Sequence, residues 1–226
     1  MSAIERNLLA HLHMNGPNGS TTIRDETGKI WTARGNGQID TAQSKFGGSS
    51  LSLDGVGDWV DTPDHADFNF GTRSITFGFW VWFNSVASGY VFASQYQDAN
   101  NVFELSWAQT TNKIYCYQYQ GGAYAVRFEA AWTPSANTWY YVEVARSTSA
   151  AYIFVDGTLK TTTVTNGSVA TSWNDLSGVF AIGAENGGSS LNGRIDEFRL
   201  YKNIQHTNSF IPYNKEHRQK KGAAML

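Results

Sequence analysis

Two histidines stand two residues apart at His11 and His13. In an extended chain that spacing puts both imidazoles on one face, as a transition-metal site would require. No third ligand lies nearby in the sequence, so the pair reads as packing. Acidic residues offer a second kind of chemistry. Glycosidic hydrolysis needs two carboxyl groups at a set separation on one surface. Glu104, Glu129 and Glu143 stand singly, and Asp196 and Glu197 are adjacent, which in a regular strand sends them to opposite faces. The expectation is therefore a chain that is not an enzyme. Residues 54–67 hold Asp54, Asp58, Asp61, Asp64 and Asp67. That oxygen-rich stretch lacks EF-hand spacing and reads as turns held by aspartate side chains. The single cysteine, Cys116, reads as a small core residue.

Aromatic residues are the remaining resource. Trp59, Trp82, Trp107, Tyr117 and Tyr119 are candidates for flat surfaces against sugar rings, since each joins an apolar face to a polar tip. For Trp82 the competing reading is packing under a loop or in a subunit contact.

The elements that must position these groups are strands. The 226 residues carry 14% aromatics, 22 Gly, 4 Pro and only 16% charged residues, a composition of short strands and tight turns. Period-2 alternation runs almost throughout, and helical periodicity is nearly absent. The first strand is read over 6–14. The strongest, Ser74–Asn84, places Ile75, Phe77, Phe79, Val81 and Phe83 on one face. Being apolar on both sides, it belongs in the middle of a layered sheet. Gln120-Gly121-Gly122 and Asp156-Gly157 read as hairpin turns, the second leading into a strand over Thr158–Val164. About a dozen short strands with regular turns predict an all-β, two-sheet sandwich.

With 17 basic against 19 acidic residues, the net charge of -2 excludes the basic face of a nucleic-acid binder. No stretch approaches the length of a membrane span, so membrane insertion is not expected.

Several segments in order, LLAHLHMNGPNGSTTIRDETGK, KFGGSSLSLDGVGDWVDTPDHADFNFGTRSITFGFWVWF, ANTWYYVEVARS, YIFVDGTL and AIGAENGGSSLNGRIDEFRLYK, resemble the laminin-G-like branch of the concanavalin A-like lectin/glucanase superfamily. The resemblance spans residue 8 to about 212. It implies an antiparallel jelly-roll with the first and last strands side by side, and one domain over 1–212. It implies packing roles for Trp80 and Trp139. It also implies a structural calcium position combining Asn15, Asp25 and Asp196, with no cofactor otherwise required. The Glu-x-Asp-x-x-Glu motif of the laminarinase-type relatives has no counterpart in this sequence.

The opening residues MSAIERNLLAHLHMNG lack a signal-peptide apolar region. Stand-alone domains resembling this one are familiar among bacteriophage structural proteins. The expectation is a virion surface protein, made in the host cytoplasm, decorating a capsid or tail, oligomeric, contacting other virion proteins and a cell-surface glycan. The alternative is a carbohydrate-binding module or adhesin with no virion role. The basic tail over 213–226 reads as a docking segment, with Lys215, Arg218, Lys220 and Lys221 for an acidic partner and Met225 and Leu226 for an apolar notch.

Overall fold

A computed structural model describes residues 7–184 and 188–215. In chain order the strands are β1 (Leu8–Leu12), β2 (Thr22–Ile23), β3 (Trp31–Arg34), β4 (Gln38–Asp40), β5 (Ser50–Asp54) and β6 (Trp59–Thr62). There follow β7 (Ile75–Phe83), β8 (Tyr90–Asp98), β9 (Asn101–Ala108), β10 (Lys113–Gln120), β11 (Ala123–Ala131) and β12 (Trp139–Arg146). The last are β13 (Ala151–Val155), β14 (Thr158–Leu159), β15 (Thr163–Gly167), β16 (Phe180–Ile182) and β17 (Asn192–Tyr201). The helical content among the described residues is the 3-10 turn at Ala66–Phe68 and the 3-10 residue Asn7.

Two antiparallel sheets result. The first runs β14-β13-β12-β7-β17-β5-β4, with β1 beside β17; the second runs β15-β11-β10-β9-β8-β16-β6-β3-β2. First and last strands are thus neighbours, with His11 opposite Arg199 and Leu12 opposite Phe198. The β7 face carrying Ile75, Phe77, Phe79, Val81 and Phe83 is buried between the sheets, as the alternation requires. Phe77 stacks on Phe103 of the second sheet at 5.2 Å, and Phe79 meets Phe92 at 5.3 Å. Cys116 lies in this core, where burial pushes its thiol up.

Three expectations change. The first strand ends at Leu12, and Met14 takes φ 57 where the chain leaves the sheet. The strand read over Thr158–Val164 is two strands in different sheets. Thr162 breaks it: its hydroxyl accepts the Ile153 amide at 3.2 Å, standing in for the backbone oxygen that a continuing ladder would use.

The third change is at β17. Asp196 pairs with Trp80 and Arg199 with Gly78, so three residue steps face two. Glu197 is the extra residue, with φ 52. This bulge leaves Ile195, Phe198 and Leu200 in the core and turns Asp196, Glu197 and Arg199 all to the outer face. The opposite-face expectation for Asp196 and Glu197 fails for that reason.

Residues 202–215 cross that outer face as a strap. Phe210 donates its amide to Gly157 O at 2.8 Å, and Thr76 Oγ1 donates to Asn203 O at 2.7 Å. Gly157 has φ 72, and a Cβ there would fall 2.0 Å from Phe210 O, so only glycine allows the approach. Phe77→Ala should lower unfolding free energy by about 3–5 kcal/mol, since Phe77 packs on Phe70, Phe103 and Phe180 across the sheet interface. Urea denaturation followed by tryptophan fluorescence measures this; a loss below about 1 kcal/mol contradicts the packing described.

Candidate functional site

The β17 bulge assembles a buried polar cluster on the outer face of the first sheet. His13 Nδ1 lies 2.5 Å from Glu197 Oε1, and Arg199 donates to Glu197 Oε2 and, at 3.2 Å, to His11 Nε2. Arg199 also stacks on the Tyr213 ring of the strap, 4.1 Å from its centre. His11, Glu197 and Asp196 are fully buried. Glu197 is therefore the third donor that the sequence did not reveal: His11, His13 and Glu197 place ligand atoms within 4.8 Å of one another. Arg199 already supplies the positive charge there, so the cluster works as an ion-pair network. Burial opposes ionisation of Glu197, but bonds to His11 and His13 and the Arg199 charge outweigh it and hold the carboxyl at about 2. Burial pulls His11 down to about 4.

The three residues of the calcium expectation have separate roles. Asp25 accepts from His11 N (3.0 Å), Thr27 N (2.8 Å), Thr27 Oγ1 and Trp31 Nε1 (3.1 Å), which uses its lone pairs within the loop. Asn15 fills the space beside Gly47, where a Cβ would fall 1.9 Å from Asn15 Oδ1. Asp196 Oδ2 accepts the amides of Lys45 (2.8 Å) and Phe46 (3.0 Å). Asp25 is thus engaged within its own loop, while Asp196 Oδ1 is buried without a hydrogen-bond partner among the described residues. The Asp-rich stretch holds turns and clips: Asp58 accepts the amides of Asn36 and Asp54, and Asp61 is bidentate to Arg34.

The aromatic candidates divide among three places. Trp107 is a core residue, 2% exposed, its Nε1 donating to Trp132 O at 3.0 Å; it offers no surface, which corrects that reading. Its alternation partners Phe103 and Leu105 face inward too. Trp82 lies half-buried on the outer face of the first sheet, 5.8 Å from Trp139. Trp80, on the same face, is 6% exposed under Phe46 and Tyr213.

Trp59, Tyr117 and Tyr119 share the outer face of the second sheet, and strand register shows what lies between them. Successive partners across β6, β16, β8, β9, β10 and β11 are Asp61, Ala181, Ser94, Glu104, Tyr117 and Arg127. A second row holds Tyr96, Val102, Tyr119 and Tyr124. At one end Trp59 donates to Asp61 Oδ2 at 2.8 Å. At the other, Tyr124 packs edge-on against Tyr117 (5.3 Å) and Tyr119 (5.1 Å), and Arg127 stacks over Tyr115 at 4.4 Å. The small residues Ala181 and Ser94 leave a depression of about 400 Å³ walled by Arg34, Trp59, Asp61 and Tyr96. From Trp59 to Tyr117 is four strand steps, about 19 Å. Arg34, Ser94, Tyr96, Tyr124 and Arg127 were not singled out from the sequence, and Asp61 and Glu104 were read there only as a turn aspartate and a lone strand carboxylate. Alternation pairs Ser94 with Tyr96, but only the register joins them to the rest.

Of the expected docking tail, Lys215 is exposed at the end of the strap. Arg218, Lys220, Lys221, Met225 and Leu226 lie outside the described residues. No helix among the described residues is long and apolar enough to cross a membrane.

Comparison with known proteins agrees with this architecture. Residues 54–205 match the family model described as the concanavalin A-like lectin/glucanases superfamily. No curated protein matches by sequence. Among solved structures, domain 4 of AbnA, an extracellular arabinanase from Geobacillus stearothermophilus solved with arabinotriose, aligns at TM-score 0.64 and 16% identity, over 87% of this chain and 93% of that one. The binding domain of botulinum neurotoxin DC in complex with SialylT aligns at 0.62 and 14%, over 89% and 49%. Trypanosoma rangeli sialidase aligns at 0.60 and 15%, over 89% and 31%. The chain thus spans about half of the toxin domain and a third of the sialidase. At these identities the likeness shows the fold.

Burial, the largest influence on Asp196, pushes its carboxyl up to about 7, against the Phe46 and Lys45 amides. Unfolded, it ionises near its ordinary 3.8. The stability it lends is thus full below about pH 4 and lost as pH rises through about 7, a change of about 4 kcal/mol. Asp196→Asn keeps an oxygen for both amides and removes the titration. The variant should gain stability relative to the parent by up to about 4 kcal/mol between pH 4 and pH 8, measured by urea unfolding. A pH-independent difference contradicts this.

Proposed function

The chain belongs to the concanavalin A-like lectin/glucanases superfamily, and within it we propose a non-enzymatic glycan-binding domain whose ligand lies across the outer face of the second sheet. The observation that carries the reading is the outward row Asp61, Ala181, Ser94, Glu104, Tyr117 and Arg127. Aromatic rings flank it for stacking, small residues open its middle, and charged side chains border it for hydroxyl recognition. The neighbours solved with arabinotriose and SialylT support a saccharide as the ligand class. The domain needs no cofactor for this.

The spacing and engagement of the carboxyls support a reading of binding without hydrolysis. Asp61 and Glu104 are three strand steps apart, about 14 Å between backbones. Glu104 and Glu129 sit two strands apart and offset along them, about 12 Å. Paired carboxyls that cleave glycosides stand roughly 5–9.5 Å apart, and Asp61 is already held by Arg34 and Trp59. Glu129 is further engaged by Lys113 at 2.5 Å.

The setting we propose is the surface of a bacteriophage particle, as an oligomeric capsid- or tail-associated component. Its support is the sequence resemblance given above. Peptide mass spectrometry of purified particles should find the chain. Its absence from particles, with glycan binding intact, assigns it to adhesion without a virion role.

Trp59→Ala and Tyr117→Ala should each weaken glycan binding about tenfold on an oligosaccharide array followed by calorimetry. Trp107→Phe should alter stability and leave affinity unchanged. No new reducing ends should appear on prolonged incubation. Affinity unaffected by both surface changes removes this face as the binding site.

A further inference from the structure

An asparagine followed by glycine can react with its own main chain. The glycine amide nitrogen attacks the asparagine side-chain carbonyl carbon, and a residue without a Cβ hinders that approach least. The sequence holds six such pairs, starting at Asn15, Asn18, Asn36, Asn166, Asn186 and Asn192. Which of them reacts depends on whether the fold leaves both groups free to meet.

Four of the described pairs are held. Asn15 is half-buried beside Gly47, and Gly16 N donates to Ser49 Oγ at 3.0 Å. Asn18 Oδ1 accepts Thr41 N at 3.1 Å, and Gly19 N donates to Ile39 O at 2.8 Å. Asn36 Nδ2 donates to Asp54 Oδ2 at 2.9 Å, and Gly37 N donates to Arg34 O at 3.1 Å. Asn192 Oδ1 accepts from Asn84 Nδ2 at 3.1 Å, and Gly193 lies between β5 and β7 within the first sheet. Asn186 lies outside the described residues.

Asn166 differs on each count. It is exposed on β15, an edge strand of the second sheet. Its side-chain amide makes no hydrogen bond to a described residue. Ser168 N donates to Ala125 O at 3.1 Å, and the same register pairs Gly167 with Val126 and Asn166 with Arg127. Bonded and non-bonded pairs alternate between antiparallel strands. The Gly167 amide therefore points away from β11, to the side of β15 where the sheet ends. Just before Asn166 the ladder is already irregular, because Val164 pairs with Phe128 and leaves Thr165 as an extra residue. The fold also requires the glycine. Gly167 has φ 63, and a Cβ there would fall 2.0 Å from Ala125 O.

We propose that Asn166 is a self-modification site, converting in water to aspartate and isoaspartate. The Gly167 nitrogen bonds to Asn166 Cγ, the Cγ–Nδ2 bond breaks, and ammonia leaves with the Gly167 amide proton, giving a cyclic imide. Water then opens the ring at either carbonyl. Both products place a new negative charge in register with Arg127, at the border of the outward row on the second sheet. Isoaspartate also inserts the side-chain methylene into the main chain of the edge strand.

The test holds the full-length protein for weeks in mildly alkaline buffer and reads each site by peptide mass spectrometry with fragment localisation. The readout is mass alone, independent of any glycan. In the folded protein Asn166 should convert at least about tenfold faster than Asn18, Asn36 and Asn192, which must first open locally. In urea all four should convert at similar rates, because the protection of the other three comes from the fold. Conversion of Asn166 no faster than those three in the folded protein overturns the proposal. So does a lead of Asn166 that persists undiminished in urea, since the fold would then not be its cause.

Discussion

The left-handed turn of Glu197 in β17 is the constraint from which the first sheet's outer face follows. β17 is a central strand, hydrogen-bonded to β7 on one side and to β5 and β1 on the other. One extra residue there keeps Ile195 and Phe198 in the core while sending Asp196, Glu197 and Arg199 outward together. Three ionisable groups on one buried surface are tolerated only if they pair and are covered. His11 of β1 and His13 just beyond its end provide the pairing, and the strap provides the cover, with Tyr213 on Arg199 and His206 on Glu143 at 2.9 Å. The bulge, the neighbouring first strand and the strap are one device.

That device divides labour between the two faces. The first sheet is overlain by the strap. On the second sheet the outward side chains alternate aromatic, small and charged, with Tyr117, Tyr119 and Arg127 half-buried and Ser94 and Glu104 buried. A surface of that kind is what extended saccharide recognition uses, because it combines stacking area with directional polar groups on rigid strands.

Much of the fold was legible because strand burial is a local, period-2 property. The inward face of β7, the Gly121-Gly122 and Asp156-Gly157 turns, and the buried thiol of Cys116 all follow from neighbours in sequence. What escaped was non-local or depended on backbone exceptions. A glutamate with positive φ has no composition signal, so the shared face of Asp196 and Glu197 was hidden, and with it the contact between His13 and a residue 184 positions away. The hydroxyl of Thr162 ended a strand that alternation alone would continue. Trp59 and Trp107 look alike as tryptophans on strands; register places one at the surface and the other over Phe83 in the core. The same register, and no motif, aligned Asp61, Glu104 and Arg127 from three separate strands.

Backbone and side-chain chemical-shift mapping with a bound oligosaccharide, continued for hours, tests the central claim most directly. The account predicts perturbations confined to the outward residues of β6, β16, β8, β9, β10 and β11, around Trp59, Ser94, Glu104 and Tyr117, with the ligand spectrum unchanged over time. Perturbations that leave this row untouched, or the steady appearance of cleaved ligand, would contradict it.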